Sequence, residues 1–250
     1  MSTTTNGIFK KVSSVIMVFA LLLGLLTVSN NTITAKAADS PVKMYCCEGQ
    51  TIYHGINNYK VYIQIAAGSA GSKSVYVHYR VNSYDWTDVS AAFLTKLNPE
   101  TEIWVASISG SELTDYAIKY VGDGNVYWDN NNGKNYQFSQ PLGVANIKAL
   151  RYGSKTPSYY QIYAAVKNLA YNKVVKVRYT EDNWATYQEA ELDYNHSISN
   201  SDTEIWCTTL TLDPTKTDQF YYCLSYEVNG QIYWDNNFGQ NYNYYYYSPY

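Results

Sequence analysis

The sequence predicts an all-β protein made of two tandem immunoglobulin-like antiparallel β-sandwiches. Three observations predict it. Apolar residues alternate along short runs separated by turn-rich segments, with no helical period. Tyr, Asn, Thr and Val dominate over Leu and Ala, and the 29 tyrosines outnumber the 18 lysines and arginines together. The chain also repeats itself at a spacing of about 100 residues. At 46% hydrophobic the 250 residues can build packed cores, and a formal charge of −3 argues against a grip on nucleic acid, which needs clustered cations.

The first 37 residues read as a signal peptide. Lys10 and Lys11 precede an apolar run over 15–28, and Ala35-Lys36-Ala37 follows as a small-residue cleavage site. The run falls short of the roughly 20 residues of a membrane-spanning helix. The expectation is therefore a secreted, extracellular protein, bacterial in the style of its signal, with no membrane contact after cleavage. Four cysteines (Cys46, Cys47, Cys207, Cys223) match no zinc spacing. Export would permit a disulfide, and Cys207 with Cys223 is the more plausible pair.

The first unit spans 42–138 and the second 144–244, with Pro141-Leu-Gly143 as the joint. In the first, Tyr59, Val61, Ile63 and Ile65 define one strand face. Val75, Val77 and Tyr79 define the next, then Trp104, Ala106 and Ile108, then Tyr116, Ile118 and Tyr120. The second repeats the order with Val175, Val177 and Tyr179, then Trp206, Thr208, Leu210 and Leu212, then Tyr222, Leu224 and Tyr226. Residues 126–136 (Val-Tyr-Trp-Asp-Asn-Asn-Asn-Gly-Lys-Asn-Tyr) return at 232–242 as Ile-Tyr-Trp-Asp-Asn-Asn-Phe-Gly-Gln-Asn-Tyr. The six tryptophans pair as Trp86 with Trp184, Trp104 with Trp206 and Trp128 with Trp234, at offsets of 98, 102 and 106.

Catalytic patterns are not found. None of the three histidines recurs at a matching position, and neither a Gly-x-Ser-x-Gly elbow nor a phosphate-cradling loop occurs. The repeated acids Glu102/Glu204 and Asp129/Asp235 lack a cleft for glycoside hydrolysis. Asp129-Asn-Asn-Asn-Gly133 places its glycine wrongly for a calcium loop. What recurs is an aromatic beside amides. In Tyr127-Trp128 alternation sends one ring outward, and Trp86 and Trp184 sit in polar turns, whereas Trp104 and Trp206 belong to a core period. An exposed indole offers an apolar face to a pyranose ring, and neighbouring Asn amides match vicinal hydroxyls.

Lys167-Asn-Leu-Ala-Tyr-Asn-Lys173, Val177-Arg-Tyr, Asp182-Asn-Trp184, Tyr226-Glu-Val-Asn-Gly230 and Tyr233-Trp-Asp-Asn-Asn237 together resemble the family 21 carbohydrate-binding modules. These include the starch-binding domains of fungal glucoamylases and the glycogen-binding domains of protein phosphatase targeting subunits. The resemblance implies a non-catalytic β-sandwich, without cofactor, that binds α-1,4-glucan. It places one site at Trp184, Trp234 and Asn236, with Trp86, Trp128 and Asn130 as first-unit counterparts, and narrows that site because Ala117 and Cys223 stand where the family has a tyrosine. A second site would use Tyr171 with Asn168, Lys173 and Glu204, and Tyr194 as a further aromatic. In the first unit Gly68-Ser-Ala-Gly71 replaces the corresponding stretch, so that unit is expected to lack the second site. Starch, glycogen or maltooligosaccharides are the implied ligands, and amylolytic enzymes acting in trans a further candidate partner. The export signal sets the targeting-subunit branch aside. The alternative reading is a structural or adhesive surface protein whose Tyr-rich sandwiches, including the Tyr-rich end of the chain, bind protein or another glycan.

Overall fold

The computed structural model describes residues 40–51, 57–81, 85–110, 113–150, 156 and 158–244, and the expected signal peptide lies outside them. The described residues form one compact unit. The chain from β1 (Val42–Thr51) to β9 (Tyr136–Gln137) builds the first sandwich. One sheet holds β1, β2 (Asn57–Ala66), β6 (Thr101–Gly110) and β5 (Ala92–Asn98), in that order. The other holds β4 (Asp85–Ser90), β3 (Lys73–Val81), β7 (Leu113–Gly122) and β8 (Asn125–Asp129), with β9 pairing β7. The second sandwich repeats this. Its first sheet is β10 (Ile147–Leu150), β11 (Tyr159–Lys167), β15 (Thr203–Thr211) and β14 (Asp193–Ser197). Its other sheet is β13 (Gln188–Glu191), β12 (Lys173–Thr180), β16 (Tyr221–Val228) and β17 (Gln231–Asp235), with β18 (Tyr242–Asn243) pairing β16. All pairings are antiparallel, and the fold class is the one the alternation predicts.

Each sandwich has its own core, and the inward residues are those the period-2 pattern selects. Val61, Ile63, Ile65, Val75, Val77, Ala106, Ile108, Tyr116, Ile118 and Tyr120 fill the first. Ile162, Val166, Val175, Val177, Leu210, Leu212, Tyr222, Leu224 and Tyr226 fill the second, with Trp206 packed against it. Eight of the tyrosines, among them Tyr116, Tyr120, Tyr222 and Tyr226, are buried core material. A buried phenol contributes ring area if its hydroxyl finds a partner. Tyr226 donates to the Lys167 carbonyl at 2.6 Å, and Tyr120 lies 2.6 Å from Ser69 Oγ.

A third cluster joins the sandwiches. The faces of the β1-containing and β10-containing sheets that point away from their own cores meet, burying Cys46, Tyr62, Ile103, Ala165 and Ile205 with Leu142 and Ala145 of the joint. The four sheets thus stack as outer, inner, inner, outer. The joint is stitched to strand β1: Cys47 N donates to Pro141 O at 2.8 Å, and Val144 N to Met44 O at 2.9 Å. A Cβ on Gly143 would stand 2.1 Å from the Met44 carbonyl oxygen, so only glycine fits there. Between the sandwiches Lys148, 2% exposed, reaches Glu48 Oε2 at 3.0 Å and donates to Tyr242 OH at 2.8 Å. Tyr62 donates to the other Glu48 oxygen at 2.9 Å. Burial works against the Lys148 charge. Tyr242, Asp235, Cys46 and Glu48 outweigh it and hold the pKa well above the ordinary lysine value.

The Cys207–Cys223 bridge that export would permit does not form, and all four thiols are free. Cys207 lies on β15 and Cys223 on β16, in different sheets. Each alternates with inward residues (Trp206 and Thr208; Tyr222 and Leu224), so the two sulfurs point out of opposite sides of the sandwich. Burial pushes the Cys47 thiol up to about 12 and the Cys223 thiol up to about 11, which leaves both protonated near neutrality.

Candidate glucan-binding site

On β3 the inward positions are Val75 and Val77, so His78 and Arg80 point outward. Register places Trp86 opposite Arg80 and Asp88 opposite His78 on β4, and Trp128 opposite Lys119 across β7 and β8. These side chains share the outer face of the outer sheet. The His78 ring stacks on Trp86 at 4.7 Å and 8° and meets the edge of Trp128 at 5.4 Å. Trp86 and Trp128 remain 37% and 45% exposed. Asp88 fixes the arrangement: its oxygens lie 2.6 Å from His78 Nδ1 and 3.0 Å from Lys119 Nζ. Burial alone would raise the Asp88 carboxyl, and the bonds from His78 and Lys119 prevail, holding it below its usual range.

The second sandwich builds the same surface from different residues. Arg178, matching His78, lies between Tyr187 at 4.6 Å and Trp234 at 4.9 Å, and its Nε donates to Glu189 at 2.8 Å. Trp234 is 45% exposed, as is its counterpart Trp128. Planar cations stack on aromatic rings, so the guanidinium holds both rings in place. Arg178 faces Glu189 as His78 faces Asp88, which makes Tyr187 the structural counterpart of Trp86. The sequence pairing of Trp86 with Trp184 is therefore corrected. Trp86 is a strand residue on β4, not a turn residue. By register the β12–β13 connection is one residue longer than its first-unit equivalent, and Trp184 lies within it.

Trp184 sits half-buried in that connection at φ +70°, with its N–H donating to Thr180 Oγ1 at 3.0 Å. The Asp182 carboxylate ties the turn by accepting from Thr186 N at 2.9 Å, Thr186 Oγ1 at 2.7 Å and Thr180 Oγ1 at 2.7 Å. Those bonds lower the Asp182 pKa to about 2. A depressed carboxylate pKa contributes order that is complete above the unfolded value of about 4 and is lost as pH falls toward 2. The amide resonance of Thr186 should therefore stay constant from pH 7 to 5 and move between about pH 4 and 2. Asp182→Asn should abolish that movement.

The repeated Tyr-Trp-Asp-Asn block is a turn device. Gly133 N donates to Asn130 Oδ1 at 3.0 Å and Gly239 N to Asn236 Oδ1 at 2.9 Å, so both asparagines, exposed as residues, shape loops. Asp129 accepts from Met44 N at 2.7 Å and from Tyr136 OH, and Asp235 accepts from Ala149 N at 2.6 Å and from Tyr242 OH. The recurring acid thus fastens an outer sheet to an inner edge strand. The block departs from Asn132 to Phe238 at one left-handed position (φ +57°), and Phe238 packs on Tyr62 at 5.0 Å and Tyr45 at 5.9 Å across the interface.

Three residues expected at a second site, Asn168, Lys173 and Glu204, meet. Lys173 Nζ donates to Asn168 Oδ1 at 2.6 Å and Glu204 Oε2 at 2.8 Å, and Trp206 Nε1 donates to the same Glu204 oxygen at 3.0 Å. Tyr194, 54% exposed, meets the Trp206 edge at 6.0 Å. Tyr171 stands 97% exposed on the β11–β12 connection. Glu204 and the Lys173 side chain are buried, and they hold Asn168 and Trp206 in position. The first unit keeps this frame as Lys73, Glu102, Trp104 and Phe93, with Gly71 where Tyr171 stands.

Residues 154–244 match the carbohydrate/starch-binding module of family 21. By sequence the second sandwich is similar to the family 21 modules. Bovine protein phosphatase 1 regulatory subunit 3C is 40% identical over 81 residues, 31% of this chain and 25% of that protein. Mouse protein phosphatase 1 regulatory subunit 3B is 37% identical over 81 residues, 31% of this chain and 28% of that protein. The chain thus spans about a quarter of the length of the curated relatives it matches. Among solved structures, the starch-binding domain of Rhizopus oryzae glucoamylase in complex with β-cyclodextrin and maltoheptaose is 26% identical, with a TM-score of 0.34, over 40% of this chain and 92% of that one. The carbohydrate-binding module of the muscle glycogen-targeting subunit of Protein Phosphatase-1 is 25% identical, with a TM-score of 0.32, over 40% and 74%.

The expectation of a secreted, extracellular, bacterial protein is overturned by these relatives, which are animal regulatory subunits of protein phosphatase 1 and not exported bacterial proteins. Two lysines ahead of a short apolar run record hydrophobicity, not destination. With that segment no longer taken as an export signal, the targeting-subunit branch is no longer set aside. Within the matched region, Trp234→Ala and Tyr187→Ala should each weaken maltoheptaose binding by about 1–3 kcal/mol, by analogy with base stacking on aromatics. Isothermal titration of the full chain checks this, and unchanged affinity in both variants would remove the stacking platform.

Proposed function

We propose that the protein is a non-catalytic α-glucan-binding protein that holds starch, glycogen or maltooligosaccharides on two tandem family 21 type modules. The observation that carries this reading is the outward platform of Trp234, Arg178 and Tyr187 within the matched module, which recurs as Trp128, His78 and Trp86 in the first sandwich. Two rings held on a flat sheet face suit the C–H faces of successive glucose units, and the flanking carboxylates and amides suit their hydroxyls. The module's second site is built by Tyr171 and Tyr194 with Asn168, on the frame of Lys173, Glu204 and Trp206. Depletion of the full chain by granular starch and glycogen, but not by cellulose or xylan, tests the proposal; equal retention on all four sinks it. The relatives' names raise a separate partner hypothesis, which the same pull-down tests: protein phosphatase 1 catalytic subunit added to the glycogen should be retained only when this chain is present.

A further inference from the structure

The two platforms belong to the outermost layers of the stack. The β4-β3-β7-β8 sheet covers one side of the first core, the β13-β12-β16-β17 sheet covers the far side of the second, and the two inner sheets bury Tyr62, Ile103, Ala165 and Ile205 between them. Trp86 and Trp128 therefore face away from the interface on one side, and Tyr187 and Trp234 face away from it on the other. Packed sheets lie about 10 Å apart, so three spacings separate the platform layers by roughly 30 Å. The joint offers no hinge to bring them round. It is bonded to β1, Gly143 is pressed against Met44, and the Lys148–Glu48 pair is buried across the interface.

We infer that one molecule bridges two separate glucan chains, cross-linking them, instead of laying both platforms on one surface. The inference rests on the proposed glucan binding. It gives the pair of sandwiches an activity that neither platform has by itself, and it excludes avidity of the two platforms on a single flat granule face.

The test uses the full chain with soluble glycogen, read by static light scattering, with a sedimentation binding assay on the same samples. Scattering should rise with added protein, pass through a maximum and fall at excess protein, when every glucan end carries its own molecule. Trp86→Ala/Trp128→Ala removes outward rings alone, and a cooperative melt at the wild-type temperature verifies its fold. Combined with Tyr171→Ala/Tyr194→Ala, which removes the second site of the second sandwich, that variant should still bind glycogen through the Trp234 and Tyr187 platform, and its scattering rise should drop at least fivefold. Wild-type binding without a scattering rise at any ratio overturns the inference, as does undiminished cross-linking by the variant. A wild-type chain that fails to bind glycogen in the sedimentation assay overturns both the inference and the binding function beneath it.

Discussion

Lys148→Met should destabilise the protein by about 3–5 kcal/mol, because it removes one partner of a buried ion pair and leaves Glu48 charged between two sheets. The geometry makes the loss specific. Lys148 also donates to Tyr242 OH and lies over the Tyr62 ring at 4.9 Å, so one side chain connects the second sandwich to the first. Denaturant unfolding should show the midpoint falling and the two sandwiches melting separately. Adding Glu48→Gln to Lys148→Met should recover much of the loss, since a neutral amide can still accept from Tyr62 without an uncompensated charge. A single-variant loss below 1 kcal/mol would mean that water reaches the pair.

Asp235→Ala should cost about 3 kcal/mol. The carboxylate accepts from Ala149 N, from Tyr242 OH and from Asn237 N at 3.2 Å, and its removal leaves the β10 amide and a buried phenol short of an acceptor. Asp129→Ala should do the same to the first sandwich through Met44 N and Tyr136 OH. Thermal melts of both variants check the pair, and a drop in only one would show that the repeat is not used alike in its two copies.

The strands and their inward faces were legible because every sheet buries one face against a core, and a period of two marks such a face directly. The interface between the sandwiches was also written in the chain, in a weaker hand. Ile103 and Val105 alternate with Trp104 and Ala106, so β6 is apolar on both faces, as a strand covered on both sides must be. The platform was half legible. Trp128 and Trp234 followed from alternation, whereas Tyr187, Arg178 and His78 were missed. Matching tryptophan to tryptophan hid the difference in loop length, and only strand register showed that Tyr187 answers Trp86. The acids of the repeated block could not be placed from sequence, since their partners, Met44 N and Ala149 N, lie about 85 residues away. The destination of the chain was misread from a segment whose composition is compatible with more than one fate.

The indole N–H resonances of the six tryptophans, followed while maltoheptaose is titrated into the full chain, test glucan binding by the outward platforms most directly. Trp234 and Trp128 should shift progressively and saturate, with Trp86 moving alongside Trp128, while Trp104, whose Nε1–H is donated to Glu102, stays in place. Resonances of Trp234, Trp128 and Trp86 that remain fixed at saturating sugar would contradict the account.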